Sequence, residues 1–349
     1  MKILNEKYLI SVNSSIKEAL QKLNLLTLNL TLFVVDEKHT VVGTITDGDI
    51  RRGLIKGIDI NTGVHQIMNK NFHFINKYNY TISHIDEIRK LGINLIPVVD
   101  DHKKLLRLVD LSENISLLPL DAVIMAGGEG RRLRPLTDNI PKPLLIIGIK
   151  PIIEHNIDRL VNYGIENIHI SINYLGHMIQ EHCKDGSDKN IKLHYINEDK
   201  ALGTIGAISK INNLQHKDIL IMNSDLLTNI DFEDFYKEFI AKNADMAIAS
   251  IPYTVSIPYA VLETKGEDVL SFKEKPSYTY YSSAGIYLIK SETIGLIPKD
   301  EFYNATDLIE KLLSMNKKVI YYPLLGYWLD IGKHADFEKA QEDIKHIQL

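Results

Sequence analysis

The sequence predicts an α/β chain in two parts: a mostly parallel, doubly wound sheet over residues 119–349, preceded by a smaller α+β pair over residues 1–118. Three observations lead to this. After Asp121, short apolar runs alternate with helical segments, the pattern of a parallel sheet with crossover helices. Before it, one strand-turn-strand plan occurs twice. The chain's 349 residues, 45% of them hydrophobic, exceed the usual size of one domain and can bury a substantial core.

Composition narrows the partners. A net charge of −5 argues against broad binding to nucleic acid or an anionic membrane, because both call for a basic domain or stripe. The single cysteine, Cys183, has no partner for an internal disulfide, and MKILNEKYLI lacks the apolar core of a signal peptide. No apolar run approaches the roughly 20 residues of a membrane span. The expectation is a cytoplasmic protein with no nucleic-acid or membrane partner.

In the first part, TLFVVDEKHTVVGTITDGDI around Phe33 runs strand, polar turn, strand and helix start, and INLIPVVDDHKKLLRLVDLSEN around Pro97 follows the same plan. Each is preceded by a stretch with helical spacing: Ile16, Ala19, Leu20 and Leu23 in one, Ile82, Ile85, Ile88 and Leu91 in the other. Neither copy could bury its apolar face alone, so the two are expected to pack as a pair. These features resemble a tandem CBS (Bateman) module. The resemblance implies a purine nucleotide at Thr46 and Asp49 of GTITDGDIRRGL, while LLRLVDLSEN departs from the ligand pattern. The same two residue types serve equally as a helix N-cap beside a tight turn.

The second part opens on the strand DAVIMAG, followed by NIHISIN, KLHYIN, DILIMNSD and ADMAIASI, with helical stretches such as KPIIEHNIDRLVNYG and ISKINNL between them. Ligands bind such sheets at the carboxyl ends of the strands, where GGEG falls. A P-loop would need GK followed by Ser or Thr, whereas GEG is followed by Arg131 and Arg132. A dinucleotide fingerprint should lead into a helix, whereas Pro135, Pro141 and Pro143 interrupt this segment. The third possibility is that the N–H groups of Gly127, Gly128 and Gly130 face a nucleotide while an arginine and a lysine neutralise its phosphates.

AGGEGRRLRPLT followed by PKPLL resembles the motif of the sugar-1-phosphate nucleotidyltransferases. Further motifs of that family follow in order: ALGTIGAI at Ala201, MNSDLL at Met222, FKEKP at Phe272, SAGIYLI at Ser283 and YWLDIGKHADFEKA at Tyr327. The resemblance covers the chain after Asp121 and implies a Rossmann-like, GT-A-like sheet. In such enzymes a sugar-1-phosphate oxygen attacks the α-phosphorus of a nucleoside triphosphate in line and pyrophosphate leaves, which demands positioning and charge stabilisation. The resemblance assigns Arg132 and Lys142 to the triphosphate and its developing charge, and Asp225 and Asp330 to Mg²⁺, which takes hard oxygen ligands. It assigns Ala260, Glu274, Lys275 and Ser283 to the sugar phosphate, although Ser283 stands where many relatives have asparagine. Ala126, Gly127, Gly128, Gly130, Glu198, Gly203 and Thr204 fall to the nucleotide. Asn304 and Thr306 look like a helix start, and Trp328 fits either the site or the core.

A CBS pair ahead of a short transferase part resembles the glucosamine-1-phosphate guanylyltransferases of legionaminic acid biosynthesis. That implies GTP and glucosamine-1-phosphate as substrates, with a carboxylate of Glu198 meeting two adjacent donors on guanine. Uridylyl and cytidylyl transfer are the alternatives within the fold. A catalytically inactive nucleotide sensor is the alternative of another class, and it conflicts with the presence of Asp225, Asp330, Arg132 and Lys142 together. A GT-A glycosyltransferase would normally show a DxD-type motif, which NSDLL lacks. CBS pairs associate, so a homo-oligomer joined partly through residues 1–118 is expected.

Overall fold

A computed structural model describes residues 6–77 and 79–347. The chain divides into two compact units, one of Met1–Pro119 with Asn162–Gly164 and Ser187–Asn190, the other of Leu120–Val161, Ile165–Gly186 and Ile191–Leu349.

The first unit holds two three-stranded sheets. One is formed by β1 (Leu9–Ser11), β2 (Thr31–Val35) and β3 (Val41–Thr46), with α1 (Ile16–Asn24) and α2 (Asp47–Ile55) in the same repeat. The other contains β4 (Ile75–Asn76), β5 (Leu95–Val99) and β6 (Leu105–Asp110), with α3 (Ile82–Lys90) between its first two strands. Ile16, Ala19 and Leu23 pack on Leu32, Phe33 and Val34, and Leu95 and Val99 of the second repeat enter the same core. The repeats therefore share their apolar faces, as their individual size requires. Leu91 is an exception to the predicted helical face. It follows α3 as the C-cap and is exposed, because Gly92 with φ 72° turns the chain away.

The second unit begins with β7 (Leu120–Ala126), then β8 (Ile146–Ile147), β9 (Lys150–Pro151), α4 (Ile152–Asn162), β10 (Asn167–Ile172), α5 (Gly176–Cys183) and β11 (Lys192–Asn197). It continues with β12 (Asp218–Asn223), β13 (Leu226–Thr228), α6 (Phe232–Ala241), β14 (Met246–Ser256), β15 (Val261–Lys265) and β16 (Asp268–Lys273). It closes with β17 (Ser277–Lys290), α7 (Ala305–Ser314), β18 (Val319–Pro323), β19 (Trp328–Asp330) and α8 (His334–Asp343). Seven strands form one sheet in the order β11-β10-β7-β12-β17-β14-β18, in which every adjacent pair is parallel except the two that involve β17. The fold is thus mixed α/β with a central, mostly parallel sheet. Both faces of its inner strands are covered: β10 is buried at every position, its Asn167, His169 and Ser171 included, and β7 at all but Met125.

ISKINNL does not form a full helix. A short 3₁₀ turn, Gly206–Lys210, takes its place, with Ala207 and Ile208 in the core beside Leu308 and Leu312 of α7. The sequence reading also missed α5, an eight-residue helix with two histidines and a glutamate on its polar side.

Candidate active site

Strands β7, β10 and β12 end at Ala126, Ile172 and Asn223, and the chain leaving β7 forms a cleft of about 400 Å³ there. Its lining brings together Gly127, Gly128, Gly130, Arg132, Lys142, Glu198, Gly203, Thr204 and Asp225. These residues span nearly a hundred positions of sequence, and the parallel order of the strands gathers them.

The glycine loop has local physical causes. Gly130 has φ 63°, and a Cβ there would lie 3.0 Å from Thr137 Cγ2 and 3.1 Å from Lys142 Cβ. A side chain is excluded by both conformation and space. The Thr137 hydroxyl donates to Gly130 O at 2.9 Å, which fixes the loop. At Gly127 a Cβ would come within 2.8 Å of Glu198 Oε1, so the Glu198 carboxylate and the glycine backbone are in close approach. Ala126 is buried at the end of β7.

Lys142 sits in a single 3₁₀ turn, Lys142–Leu144, between Pro141 and Pro143. The prolines fix the backbone and prevent a helix, so the lysine is held at a bend and buried. Its ammonium donates to Asp225 Oδ2 and lies 3.9 Å from Asp330 Oδ1. The two aspartates meet through the small antiparallel pair β13–β19, in which Leu226 faces Asp330 and Ile331 N donates to Asp225 O at 3.1 Å. Asp225 Oδ1 and Asp330 Oδ1 are both buried without a hydrogen-bond partner. Burial, and then the charge of Asp225, raise the pKa of Asp330, against the pull of Lys142 and Arg132. The Arg132 guanidinium lies over Gly332, where a Cβ would be 3.3 Å from Nη2.

Two orphaned carboxylate oxygens on aspartates that share one lysine fit a hard divalent cation. Among the described residues there is no cluster of three or more His, Cys, Asp or Glu able to hold a metal, so water and phosphate oxygens would complete the octahedron, as Mg²⁺ prefers. Bound there, such an ion would supply positive charge beside a nucleotide phosphate.

On the far side of the glycine loop, Glu198 is positioned by Ser171 of β10, whose hydroxyl donates to Oε1, and by Leu202 N, which donates to Oε2 at 3.0 Å. Gly203 has φ 80°, and a Cβ there would meet Tyr303 O at 2.6 Å. Thr204 Oγ1 accepts from Ala305 N at 2.8 Å, tying the loop to the start of α7, where Asn304 is the N-cap. Ser171, Asn223 and Phe302 were not picked out from sequence. Asn223 was legible as part of MNSD, but nothing in the spacing marks Ser171 or Phe302.

The residues expected from sequence to meet the sugar phosphate lie elsewhere. Ala260, Glu274 and Lys275 are exposed on the hairpin that joins β14 to β17, and they do not line the cleft. Lys275 has φ 42°, an unusual conformation for a lysine. Ser283, at the base of that hairpin, donates its hydroxyl to the Tyr287 hydroxyl at 2.9 Å. Trp328 Nε1 donates to Ala284 O at 2.8 Å, so the indole anchors β19 to the same base. Arg131 is exposed and forms a two-point ion pair with Glu129.

In the other unit, Thr46 and Asp49 form a capping box at the start of α2. Thr46 N and Oγ1 donate to Asp49 Oδ2 at 2.9 and 2.7 Å, and Arg52 pairs with the other carboxylate oxygen. Thr46 and Asp49 therefore cap α2.

A glycine loop, a buried lysine and two metal-competent aspartates at the carboxyl ends of a parallel sheet define a nucleotide-handling α/β protein. The family model for nucleotidyl transferases matches residues 121–347, and the chain belongs to that family. A CBS domain model matches residues 3–56. The bifunctional protein GlmU of Methanococcus maripaludis is 31% identical over 231 residues, 63% of this chain and 53% of that protein. The chain thus spans about half the length of that relative. The D-glycero-alpha-D-manno-heptose 1-phosphate guanylyltransferase of Aneurinibacillus thermoaerophilus is 29% identical over 65% of this chain and 99% of its own length. The crystal structure of HddC from Yersinia pseudotuberculosis superimposes with a TM-score of 0.50 at 26% identity, over 64% of this chain and 99% of that one. No helix among the described residues is long and apolar enough to cross a membrane.

Proposed function

We propose that the protein is a sugar-1-phosphate nucleotidyltransferase, joining a nucleoside triphosphate to a sugar-1-phosphate with release of pyrophosphate in a Mg²⁺-dependent reaction. The observation that supports this most is the pair of orphaned carboxylate oxygens on Asp225 and Asp330, set beside Lys142 at the mouth of the glycine loop. In this proposal the loop N–H groups orient the triphosphate, and Lys142 and Arg132 stabilise charge as it builds on the leaving pyrophosphate. Lys275 binds the phosphate of the acceptor, while Glu274, Ala260 and Ser283 hold its sugar.

GTP is the proposed donor and glucosamine-1-phosphate the proposed acceptor, in legionaminic acid biosynthesis. Glu198 beside Gly127 supplies acceptor oxygens suited to guanine, and two relatives are named guanylyltransferases, the heptose enzyme and the mannose-1-phosphate guanylyltransferase of Mycobacterium tuberculosis, 29% identical over 64% of each chain. Residues 1–118 are proposed to form a tandem CBS module that binds a purine nucleotide at Thr46 and Asp49 and helps to assemble a cytoplasmic homo-oligomer. Since those side chains already satisfy one another, the ligand adds to the capping box, and Asp49→Ala should abolish calorimetric binding of purine nucleotides; no heat with any purine nucleotide would overturn this part of the proposal.

A pyrophosphate-release assay over five nucleoside triphosphates and several sugar-1-phosphates tests the proposal. Release should require Mg²⁺ and both substrates, and be fastest with GTP and glucosamine-1-phosphate. Release from a triphosphate alone, or from no pair, would overturn it, and a faster UTP or CTP reaction would replace the donor.

A further inference from the structure

Among the described residues that line the cleft, Phe302 is the only aromatic one, and it is 63% exposed. A single exposed apolar residue is ordinary on a protein surface, so exposure alone says nothing about it. What sets Phe302 apart is its support. Its neighbour Tyr303 packs on the core that contains Ile205 and Leu308. Tyr303 N donates to Leu202 O at 2.9 Å, and Tyr303 O accepts from Ile205 N at 3.2 Å and from Gly206 N at 3.1 Å. One step further, Thr204 N donates to Asn304 Oδ1 at 3.3 Å and Ala305 N to Thr204 Oγ1 at 2.8 Å. On the other side of Phe302, Glu301 O lies 2.7 Å from where a Cβ of Gly206 would stand, so the main chain is packed closely there too. An aromatic ring on a backbone fixed in this way has little freedom left to lose when a ligand arrives.

The chemistry of the lining divides the cleft. Lys142 and Arg132 supply positive charge and Asp225 a metal-competent carboxylate, so the phosphates of a nucleotide belong with them. Its uncharged part is left to the remaining wall. Leu202 shows where Phe302 falls: the Leu202 N–H donates to Glu198 Oε2 at 3.0 Å and its carbonyl accepts from Tyr303 N at 2.9 Å. The Glu198 carboxylate and the segment that carries Phe302 therefore hang on the two polar groups of one residue. Gly203 comes next, with φ 80° and with Tyr303 O 2.6 Å from where its Cβ would stand. A polar group for an edge and an aromatic ring for a face are the contacts by which proteins hold an unpaired base. The hydroxyls of a sugar would need polar partners, and a phenyl ring offers none.

Resting on the reading of this cleft as a nucleotide site, we propose that Phe302 is the platform on which the nucleobase stacks. Stacking is indifferent to the donors and acceptors on a base edge, because every base has a π-face. Phe302 therefore supplies affinity for nucleotides in general, and selection among them is left to groups at the edge, such as Glu198.

Calorimetry on the full chain, with Mg²⁺ and no sugar phosphate, tests this with GTP, UTP and inorganic triphosphate as probes. Phe302→Ala should weaken every nucleotide that the wild type binds by about 10-fold or more, as loss of a base–aromatic stack implies, and change inorganic triphosphate by less than about 2-fold. Unchanged binding of inorganic triphosphate shows the rest of the site to be intact. Phe302→Trp should restore nucleotide affinity, whereas Phe302→Leu, apolar but without a π-face, should not. Equal nucleotide affinity in the wild type and Phe302→Ala, an equal loss for all three probes, or restoration by leucine as full as by tryptophan would overturn the inference and leave the nucleotide reading in place. A wild type that binds neither nucleotide would overturn both.

Discussion

Replacing Lys142 with methionine keeps the length of the side chain but removes the one ammonium group that touches both aspartates. At an effective dielectric constant of about 20, unit charges 4 Å apart attract by about 4 kcal/mol, and Lys142 Nζ is 3.9 Å from Asp330 Oδ1. The Asp330 side chain is 41% exposed, so solvent screening reduces this to about 1 to 2 kcal/mol. Loss of the charged hydrogen bond to Asp225 adds about 1.5 to 3 kcal/mol, and relaxation of the freed carboxylates returns part of the total. The expected loss is about 2 to 4 kcal/mol. Trp328, the only tryptophan, lies two residues from Asp330, so its fluorescence follows unfolding where the change is made. With a slope of about 3 kcal/mol/M, the urea midpoint should fall by about 1 M in the absence of divalent cations. Because the ammonium competes with a cation for the same two carboxylates, Mg²⁺ at a hundred times its dissociation constant for the variant should stabilise the variant by about 2.7 kcal/mol and the wild type by less. An unchanged midpoint, or equal stabilisation of both proteins by Mg²⁺, would refute this view of the site.

Three further outcomes are expected. Burial first, and then the stacked ring of His194, depress the pKa of His169 to about 4, so it stays neutral in the fold while the unfolded chain takes up a proton near 6.5. Stability should therefore fall by about 2 to 4 kcal/mol as pH drops from about 6.5 to 4, and His169→Gln should flatten that slope in urea titrations. Gly203→Ala forces a side chain to φ 80° and into Tyr303 O, which should cost about 1 to 3 kcal/mol and weaken triphosphate binding measured by calorimetry. In steady-state kinetics, Arg132→Ala should lower kcat more than it raises KM for the triphosphate, whereas Lys275→Ala should chiefly raise KM for the sugar phosphate. An effect of Lys275→Ala on the triphosphate alone would show that the two anion subsites are misassigned.

Much of this architecture was legible before the structure. The strands around Ile124 and Ile221 announce themselves as nearly continuous apolar runs, because strands buried on both faces need them, whereas the one around Ile170 alternates with Asn167, His169 and Ser171 although it too is buried throughout. Lys142 and Gly130 were legible for a related reason. A lysine fixed between two prolines and a glycine where a Cβ would strike Thr137 are costly choices unless something must approach the backbone. What stayed hidden depends on contacts between distant segments. Ser171 is an ordinary strand serine until the sheet brings it to Glu198, 27 positions away. The mutual satisfaction of Thr46 and Asp49 is invisible to a pattern that a cap and a ligand site share. ISKINNL read as helical from its spacing, but it is too short to hold a helix without the tertiary contacts that instead fix it as a 3₁₀ turn.

The central claim, attack by a sugar-phosphate oxygen on the α-phosphorus with pyrophosphate as leaving group, is tested most directly by isotope transfer. With glucosamine-1-phosphate carrying ¹⁸O in its non-bridging phosphate oxygens and unlabelled GTP, mass spectrometry of both products follows the label. All of it should be found in the nucleotide sugar, with one labelled oxygen bridging the two phosphorus atoms and none in pyrophosphate. Label in pyrophosphate, or unlabelled nucleoside monophosphate in place of a nucleotide sugar, would contradict the account.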